Sequence, residues 1–341
     1  MPDRVLDVRG LKVSFATHEG VVRAVDGVDF ALGRREVLAI VGESGSGKSA
    51  TALSLLGLTR ARNATLEGAV EFEGADLLRM SEAQLRAVRG HRIAMIFQDP
   101  MTSLNPVQPV GDQIVEAIRA HERMARSAAR SRAAELLAQV GIAHAHERLD
   151  DYPHRFSGGM RQRVMIAMAI ACNPDVLIAD EPTTALDVTI QAQIFELLAR
   201  VREQTGSAMI LITHDLGLAT AVADSALVMY GGRIVERGAV GEVFRDPQHP
   251  YTWGLLGAIP RLDRPRPRRL YAIGGAPPRL GDAPTGCRFR SRCPHAFEAC
   301  VNEPPLVARG AAPGHEDRCW ISGPERAELR PKAVVGGRAG W

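Results

Sequence analysis

The sequence predicts an α/β protein. Three short runs rich in valine and isoleucine are each followed by a segment with a helical pattern: "VLAIVG" by "KSATALSLLGL", "DVLIAD" by "VTIQAQIFELLARV", and "AMILITHD" by "LGLATAVAD". Uninterrupted apolar runs of this kind are typical of parallel strands buried between helices. The chain has 341 residues, 45% of them hydrophobic, which suffices for one large domain or for one domain with a smaller companion.

The segments ahead of and between these runs predict two further parts of that fold. The stretches Val5 to Phe15, Val22 to Leu32 and Gly68 to Leu78 are predicted to be strands of a small antiparallel sheet. From about residue 99 to 160 the pattern turns helical, as in "VGDQIVEAIRAH" and "MARSAARSRAAELLAQVGI". We therefore expect a mainly parallel sheet core with an antiparallel β-subdomain and a helical subdomain.

The composition changes beyond residue 245. The segment "PRLDRPRPRRL" at 260–270 holds five arginines and three prolines in eleven residues, which predicts a linker with polyproline character. A nucleic-acid-binding arm is the alternative, but no aromatic residues are interleaved with the basic ones. We predict one domain over residues 1–245 and a C-terminal extension over 246–341.

Charge and hydropathy limit the choice of partners. The net charge of +3 neither requires nor excludes nucleic acid, and we expect no nucleic-acid partner. The N-terminus lacks the apolar run of a secretory signal. The longest strongly apolar stretch, "VMIAMAIAC", is about half of the roughly 18 residues that a spanning helix needs. We expect a cytoplasmic protein that reaches a membrane only through partners.

The stretch "GESGSGKS" at 42–49 fits the phosphate-binding pattern G-x-x-x-x-G-K-[ST] between a predicted strand and a predicted helix. Glycines let backbone N–H groups converge on phosphate oxygens, and the helix N-terminus adds positive potential. Lys48 is expected to reach the β- and γ-phosphates, and Ser49 to bind Mg²⁺. A glycine turn without a ligand is the alternative. The predicted nucleotide-binding residues of this loop are Gly42, Glu43, Ser44, Gly45, Ser46, Gly47, Lys48, Ser49 and Ala50.

Two carboxylates end the predicted strand "DVLIAD". The carboxyl ends of parallel strands open onto the ligand crevice of an α/β sheet. Asp180 is placed to hold Mg²⁺ and Glu181 to polarise an attacking water, the two tasks that hydrolysis of a phosphate anhydride requires. The alternative is that the two acids cap the next helix.

Further motifs give the chain a family resemblance. "YPHRFSGGMRQRV" lies between the phosphate-binding loop and the carboxylate strand, and "FQDP", "TALD" and "ITHD" follow the same order as in ABC-transporter ATPases. The chain resembles that family, which implies an ABC ATPase domain of the α/β class with a small cysteine-containing C-terminal extension. It also implies ATP and Mg²⁺ as cofactors and ATP hydrolysis as the activity.

The resemblance implies a role for each matching residue. Phe15 matches the aromatic residue that stacks on adenine, and Gln98 matches the residue that senses Mg²⁺ and couples to the membrane subunit. Asp187 matches a residue at the dimer interface, and His214 one that contacts the γ-phosphate. The implied catalytic residues are Glu181, His214, Lys48 and Gln98, and the implied Mg²⁺ ligands are Ser49, Gln98 and Asp180.

Ser157, Gly158 and Gly159 match the signature residues, which in this family act on ATP held by the opposite subunit. A serine that opens a helix and is followed by two glycines offers a hydroxyl and bare N–H groups to a phosphate. The sequence departs from the commoner family pattern at Phe156 and Met160, where leucine and glutamine are usual. The residue at the adenine position is a phenylalanine and has no hydroxyl.

Other stretches narrow the resemblance to the oligopeptide and dipeptide permease branch: "DPMTSLNP", "HPYTWGLLGAIP", "PTGCRFRSRCPHAFEAC" and "HEDRCW". This implies a second, different ATPase subunit, two integral membrane subunits and an extracytoplasmic peptide-binding protein. It places the chain peripherally on the cytoplasmic face of the inner membrane. Import of nickel, glutathione or another small solute, and a soluble ABC ATPase, are the alternatives.

Four of the five cysteines fall near the C-terminus, at Cys287, Cys293, Cys300 and Cys319. Their spacing lacks the close C-x2-C pairs of common zinc and ferredoxin sites. A cytoplasmic location disfavours disulfides, whereas a small segment with few periodic elements favours a metal that holds it together. Resemblance to peptide-importer ATPases implies a four-iron, four-sulfur cluster; zinc and no metal stay open. Cys172 is expected to pack inside an apolar helix.

Overall fold

The structure is a computed structural model that describes residues 4–184, 186–259, 272–278, 281, 285–309 and 313–331. The predicted linker at 260–270 lies outside these residues. The strands are β1 (Arg4–Thr17), β2 (Gly20–Gly33), β3 (Val37–Val41), β4 (Ala64–Phe72), β5 (Ala75–Asp76), β6 (Ile93–Ile96), β7 (Val176–Asp180), β8 (Ala208–Thr213), β9 (Ser225–Tyr230), β10 (Arg233–Ala239), β11 (Val307–Ala308) and β12 (Glu316–Asp317).

Helices connect these strands and fill the predicted helical segment. They are α1 (Lys48–Leu55), α2 (Glu82–Val88), α3 (Pro100–Ser103), α4 (Val110–Arg119), α5 (Arg126–Gln139), α6 (Ala145–Arg148), α7 (Gly158–Ala169), α8 (Val188–Thr205), α9 (Leu216–Val222), α10 (Val240–Arg245), α11 (Pro250–Gly257) and α12 (Gly323–Leu329). Short 3-10 helices lie at Leu77–Arg79, Pro153–Arg155 and Glu298–Val301. In the part of the chain that is described, no helix combines the length and the apolar character needed to cross a membrane.

The chain forms two compact units. The first unit comprises Met1–Leu6, Leu32–Glu36 and Phe72–Ile212, and the second comprises Asp7–Ala31, Val37–Glu71 and Thr213–Trp341. The phosphate-binding loop and the cysteine-bearing extension therefore belong to the same unit. The prediction of a boundary near residue 245 stays a prediction.

The first unit has a parallel sheet in which β7 pairs with β6 on one side and with β8 on the other. All five residues of β7 are buried, as their continuous apolar run predicts. The helices α4, α5 and α7 pack on one another through small and aliphatic side chains such as Ile114, Ala133 and Leu137, which are fully buried. The sheet thus carries its carboxylates at the end of β7.

The second unit has a mixed sheet. β3 pairs in parallel with β9, β10 pairs antiparallel with β9, and β12 pairs antiparallel with β10. β11 pairs with β12, so strands from the C-terminal extension continue the same sheet. A second sheet has β1 as the neighbour of both β2 and β4. Its first two strands are joined by a turn at residues 18–19, and two strands joined so closely run antiparallel.

A buried polar network fastens the C-terminal extension to β10. Glu236 is fully buried, and its carboxylate accepts hydrogen bonds from the backbone N–H groups of Gln248 (2.6 Å) and His249 (3.0 Å). It also accepts from Thr252 Oγ1 at 2.5 Å and lies 2.8 Å from His315 Nε2. Because a buried carboxylate is costly without such partners, this network fixes the position of β12 against β10.

Three predicted segments differ in detail from the structure. The predicted strand from Gly68 to Leu78 ends at Phe72, because Glu73 and Gly74 adopt φ of +48° and +82° and turn the chain. Gly141 has φ of +82°, and helix α5 ends at Gln139 ahead of it. Cys172 is buried as predicted but lies in the turn after α7, which ends at Ala169.

Candidate functional site

The phosphate-binding loop is shaped by glycines that no other residue could replace. Gly42 and Gly47 have φ of +153° and +102°. A Cβ atom would lie 2.2 Å from the carbonyl oxygen of Met229 at Gly42, and 2.4 Å from that of Ala24 at Gly47. Both the torsion and the space therefore require glycine, which places the loop tightly against β9 and β2.

Lys48 begins helix α1 and curls back over the loop. Its side chain is buried, and its ammonium group donates hydrogen bonds to the carbonyl oxygens of Gly42 (2.9 Å) and Glu43 (3.0 Å). The first turn of α1 has no acidic residue to offset its positive end. The buried hydroxyl of Ser46 makes no hydrogen bond among the described residues. This arrangement is suited to an anion with several oxygen atoms.

The two carboxylates after β7 have different surroundings. Asp180, the last residue of the strand, is buried with 4% of its surface exposed. Glu181 follows with φ of +45°, in the left-handed region, and its N–H donates to the carbonyl oxygen of Ile212 at 2.9 Å. This conformation costs a residue other than glycine about 1–3 kcal/mol and occurs often at functional sites.

The Glu181 carboxylate is oriented by two neighbours. Gln98 Nε2 donates to Glu181 Oε2 at 3.2 Å, and Thr184 Oγ1 donates to the same oxygen at 3.0 Å. Gln98 lies just beyond β6, so adjacent parallel strands bring the two residues to the same edge of the sheet. The structure thus brings together two of the predicted catalytic residues.

The predicted signature residues open helix α7. Ser157 is its N-cap, and Ser157 Oγ accepts a hydrogen bond from the N–H of Met160 at 3.3 Å. Ser157 and Gly158 are exposed, and α7 has no acidic residue in its first turn. A Cβ atom on Gly159 would lie 2.8 Å from Ile190 Cγ2. The helix therefore presents a positive end with small residues at the surface.

The structure gives a local reason for one departure from the family pattern, the phenylalanine at position 156. Its side chain is buried, with 2% exposed, and the guanidinium of Arg148 lies over its ring at 5.5 Å from the centroid. The ring thus serves as core packing beneath the exposed serine and glycine. Met160 contributes its backbone N–H to the cap, which any residue except proline could supply.

The remaining predicted site residues lie at ends or on edges of elements. Asp187 is exposed and caps α8, since Asp187 Oδ1 accepts from the N–H of Ile190 at 3.0 Å. His214 is exposed directly after β8, and Phe15 is half-buried in β1. The predicted residues divide between the two units: Phe15, the loop 42–50 and His214 in the second, and Gln98, Ser157, Gly158, Gly159, Asp180, Glu181 and Asp187 in the first.

The four C-terminal cysteines line one small cavity of the second unit, together with the aromatic rings of Phe289 and Trp320 and with two histidines. All four are free thiols. Burial raises the pKa of Cys287 to about 12 and that of Cys293 to about 11, and it also raises the pKa of Cys319. Within the described ranges, no three histidine, cysteine, aspartate or glutamate side chains are placed to hold a single metal ion. The predictions of a cluster and of zinc both stay predictions.

Several residues that shape the site lie in motifs or stretches quoted above, but the sequence predicted no role for them. Thr184 opens the motif "TALD", in which only Asp187 was assigned a role. Arg292 and Tyr251 lie in the C-terminal extension, 249 and 208 residues from Glu43, yet both bond to it. Contacts between such distant positions depend on the tertiary fold, so neither spacing nor periodicity could have indicated them.

The motifs and the extension both match known families. A family described as ABC transporter matches residues 25–184. A family described as oligopeptide/dipeptide transporter, C-terminal region, matches residues 235–300. The first match includes the phosphate-binding loop and the two carboxylates at the end of β7, and the second begins in β10 and runs into the C-terminal extension.

Curated relatives match nearly the whole chain. A probable peptide ABC transporter ATP-binding protein of Sinorhizobium fredii is 51% identical, with coverage of 94% of this chain and 96% of the relative. The dipeptide transport ATP-binding protein DppD of Bacillus subtilis is 50% identical over 99% of both chains. The oligopeptide transport ATP-binding protein OppD of the same organism is 48% identical over 97% of this chain and 93% of its own.

Solved structures share the fold. The dimeric post-hydrolysis state of the ATP-binding cassette MJ0796, bound to ADP and Pi, has a TM-score of 0.62 and 25% identity, and covers 69% of this chain and 98% of its own. CbiO1 from Clostridium perfringens, part of the ABC transporter complex cbiONQ, has a TM-score of 0.60 and 29% identity, and covers 72% of this chain and 92% of its own. The α/β fold class expected from the sequence is confirmed.

Proposed function

This chain belongs to the ABC transporter family of ATP-binding proteins, and we propose on that premise that it is the ATP-hydrolysing, energy-coupling subunit of a binding-protein-dependent importer of dipeptides or oligopeptides. One observation carries the proposal: relatives named as peptide, dipeptide and oligopeptide transport ATP-binding proteins are about 50% identical along nearly the full chain. The C-terminal family match supports the peptide branch.

The phosphate-binding loop is the proposed seat of ATP. Backbone N–H groups of residues 42–49 would surround the phosphates, and Lys48 would exchange its bonds to the Gly42 and Glu43 carbonyls for bonds to the β- and γ-phosphates. The buried hydroxyl of Ser46, which has no hydrogen-bond partner in the described part of the chain, supports this assignment. Phe15 would stack on adenine through its ring face.

Mg²⁺ is the second proposed cofactor. The hydroxyl of Ser49, the amide oxygen of Gln98 and the carboxylate of Asp180 would hold it. All three are hard oxygen donors, which Mg²⁺ prefers. When bound, the ion neutralises charge on the phosphate oxygens.

Glu181 is the proposed general base for the attacking water. The hydrogen bonds from Gln98 and Thr184 hold its carboxylate in one orientation, and its backbone is in the left-handed region that often marks functional sites. His214, exposed after β8, would contact the γ-phosphate. Lys48 would stabilise charge on the same group.

A second ATPase subunit is proposed to complete each ATP site. Ser157, Gly158 and Gly159 would act on ATP held by the partner, and Asp187 would lie at the interface. The exposed serine hydroxyl and the acid-free first turn of α7 support that role. A cap residue exposed on the protein surface, as Asp187 is, can take part in such an interface.

Two integral membrane subunits and an extracytoplasmic binding protein are the other proposed partners. Support comes from large apolar side chains that follow Gln98: Met101 is 60% exposed and Val107 is 80% exposed. Contact with membrane subunits there would place the chain peripherally at the cytoplasmic face of the inner membrane. Contact with the membrane subunits next to Gln98 would also let the arrival of substrate affect Gln98, which donates a hydrogen bond to Glu181.

A four-iron, four-sulfur cluster is the proposed occupant of the cysteine cavity, with zinc as the alternative. The support is that Cys287, Cys293, Cys300 and Cys319 are free thiols that line one cavity. Metal ligation requires thiolates, so binding would release protons from these thiols. Such a group would hold together an extension whose described residues contain only short helices and strands.

Reconstitution of the complete transporter tests the function. The chain, its partner ATPase and the two membrane subunits are incorporated into lipid vesicles, and uptake of labelled di- and oligopeptides is measured with the binding protein and ATP. We expect peptide uptake that requires ATP and that Glu181→Gln abolishes. ATP-dependent uptake of nickel or glutathione in place of peptides would reassign the substrate. Failure of the chain to sediment with membranes that contain the permease subunits would contradict the importer role.

A further inference from the structure

The second residue of the phosphate-binding loop is held by the C-terminal extension. Arg292 Nη1 donates to Glu43 Oε2 at 2.6 Å, and Arg292 Nη2 donates to Glu43 Oε1 at 3.1 Å. The arginine side chain is 4% exposed and that of the glutamate 28%. A paired, two-bond contact of a buried guanidinium fixes both the distance and the orientation of a carboxylate.

The backbone of Glu43 lies in the same contact. Its N–H donates to Tyr251 Oη at 2.8 Å, and its carbonyl oxygen accepts from Lys48 Nζ at 3.0 Å. The N–H of Ser46 donates to that carbonyl at 3.2 Å. Glu43 therefore bonds on one side to the extension and on the other to the lysine expected to bind phosphate.

Arg292 is itself held in place. Its guanidinium donates to the carbonyl oxygens of Gly274 (2.9 Å) and Ile273 (3.3 Å) and to Tyr230 Oη (3.2 Å). The same group lies 5.7 Å from the centroid of the Tyr230 ring. A side chain with this many fixed contacts cannot follow the loop if the loop moves, so it restrains the loop.

The restraint continues to the cysteine cavity. Cys293 follows Arg292 directly, and its N–H donates to the carbonyl oxygen of Phe289 at 2.9 Å. The Phe289 ring lines the cavity and packs edge-on against Tyr230 with centroids 5.2 Å apart. It also packs against Tyr251 at 5.4 Å. The cavity wall and the two tyrosines at the loop thus form one packed cluster.

A second arginine holds the other end of the loop. Arg288 follows Cys287, is 6% exposed, and donates through Nη1 to the carbonyl oxygen of Gly231 at 2.6 Å. The next residue, Gly232, donates its N–H to the carbonyl oxygen of Ser46 at 2.9 Å. The extension therefore supports the loop at two separate points, each next to a cysteine in sequence.

We propose that Arg292 is a positioning residue for the ATP site: the C-terminal extension, through the Arg292–Glu43 pair, holds the phosphate-binding loop in the conformation that binds nucleotide. The inference rests on the proposed function of the loop. It assigns to the extension a task in ATP binding, separate from any contact with peptide or membrane. A loop ordered in advance binds its ligand more tightly because less ordering is left for the binding step.

Nucleotide affinity of the full chain tests the proposal. A fluorescent ATP analogue is titrated into the wild type, Arg292→Ala, and Arg290→Ala as the matched control. Arg290 is half-buried in the same segment, and no ion pair of it is seen among the described residues. We expect Arg292→Ala to raise the Kd about tenfold and Arg290→Ala to leave it within about twofold. Equal Kd values for wild type and Arg292→Ala would overturn the proposal.

Two further measurements separate positioning from loss of folding and from failure of the ATP site itself. Tyr251→Phe keeps the packed ring and removes the oxygen that accepts the Glu43 N–H, so it should raise the Kd severalfold with little change in thermal stability. An unchanged Kd in that variant would also count against the proposal. If the wild type binds no ATP, or if Lys48→Ala binds as well as the wild type, it is the assignment of the loop that fails.

Discussion

Gln98 Nε2 lies 3.2 Å from Glu181 Oε2, so the residue that the resemblance links to the membrane subunits touches the proposed general base. Because the amide nitrogen and oxygen share one carbon, fixing Nε2 on the carboxylate also fixes the direction of Oε1. Thr184 Oγ1, 3.0 Å from the same carboxylate oxygen, completes the arrangement. A movement of Gln98 would therefore reorient the base directly, without an intervening residue.

We expect Glu181→Gln to lower ATP turnover in the assembled complex by at least about a hundredfold, because a general base contributes about 10² to 10⁴ in rate. ATP binding should persist, since the loop 42–49 is unchanged. The measurement is phosphate release at saturating ATP. Glu196→Gln, which removes an exposed carboxylate on α8, is the control and should turn over ATP normally. Unchanged turnover in Glu181→Gln would remove that residue from its role.

Gly47→Ala should destabilise the protein by about 2–4 kcal/mol, because the φ of +102° strains alanine and its Cβ would lie 2.4 Å from a backbone oxygen. Urea unfolding monitored by circular dichroism gives the change. Gly241→Ala in α10 is the control, since nothing lies within 4 Å of a Cβ there. It should leave stability unchanged or raise it by up to about 1 kcal/mol. Equal stabilities of the two variants would show that neither the backbone torsion nor the lack of space requires glycine at position 47.

Protein purified without oxygen should contain about four irons and four acid-labile sulfides per chain. Cys293→Ser should lose the associated colour and lower the thermal midpoint, while Cys172→Ser, remote in sequence from the other four cysteines, should keep the metal. Elemental analysis and visible absorption provide the measurement. One zinc ion per chain, in place of iron and sulfide, would show that the four cysteines form a zinc site. A Cys293→Ser variant that keeps its colour and its stability would exclude that cysteine as a ligand.

The contribution of His315 to stability should fall as the pH rises. Burial opposes protonation, but the hydrogen bond and the charge of Glu236 outweigh it and raise the pKa of His315 above 6.5; Asp246 and Asp317 act in the same direction. A pKa raised by folding stabilises the fold fully below the unfolded value, about 6.5, and this stabilisation is lost as the pH rises through the folded value.

The comparison of wild type with His315→Gln measures this effect. We expect the variant to be less stable by about 2 kcal/mol below pH 6 and the difference to shrink above neutral pH. The free energy of unfolding in urea, measured from pH 5.5 to 8.5, gives the result. His154→Gln, at an exposed histidine, should show no such trend. A difference that is constant across this range would show that the charge of His315 does not matter.

Local pattern predicted the strands and helices that carry the proposed active site. The buried strand β7 and the glycine-rich turn before α1 both have strong sequence signals, because each depends on residue types within a few positions. Element ends were less predictable. The turn at Glu73 requires a positive φ at a glutamate, which no propensity indicates, and only the adjacent glycine hinted at it.

The supporting contacts could not be predicted at all. Thr184 matters because the chain turns back beside Glu181 after β7, and Tyr251 matters because α11 places its hydroxyl at the loop. The gathering of four cysteines in one small segment, together with the family resemblance, suggested a metal, but not that the four thiols would share a cavity wall with Phe289. Each of these contacts depends on how separate segments of the chain pack together, and composition and periodicity carry no information about that packing.

The pair between Glu43 and Arg292 joins positions 249 residues apart, and this has a consequence during synthesis on the ribosome. At about 5–20 residues per second, the arginine is made about 12 to 50 s after the glutamate. Throughout that interval the nascent chain has a phosphate-binding loop without its anchor. The ATP site of such a chain is therefore completed only after the extension has been made, and a chain terminated before residue 292 would lack a fully ordered ATP site.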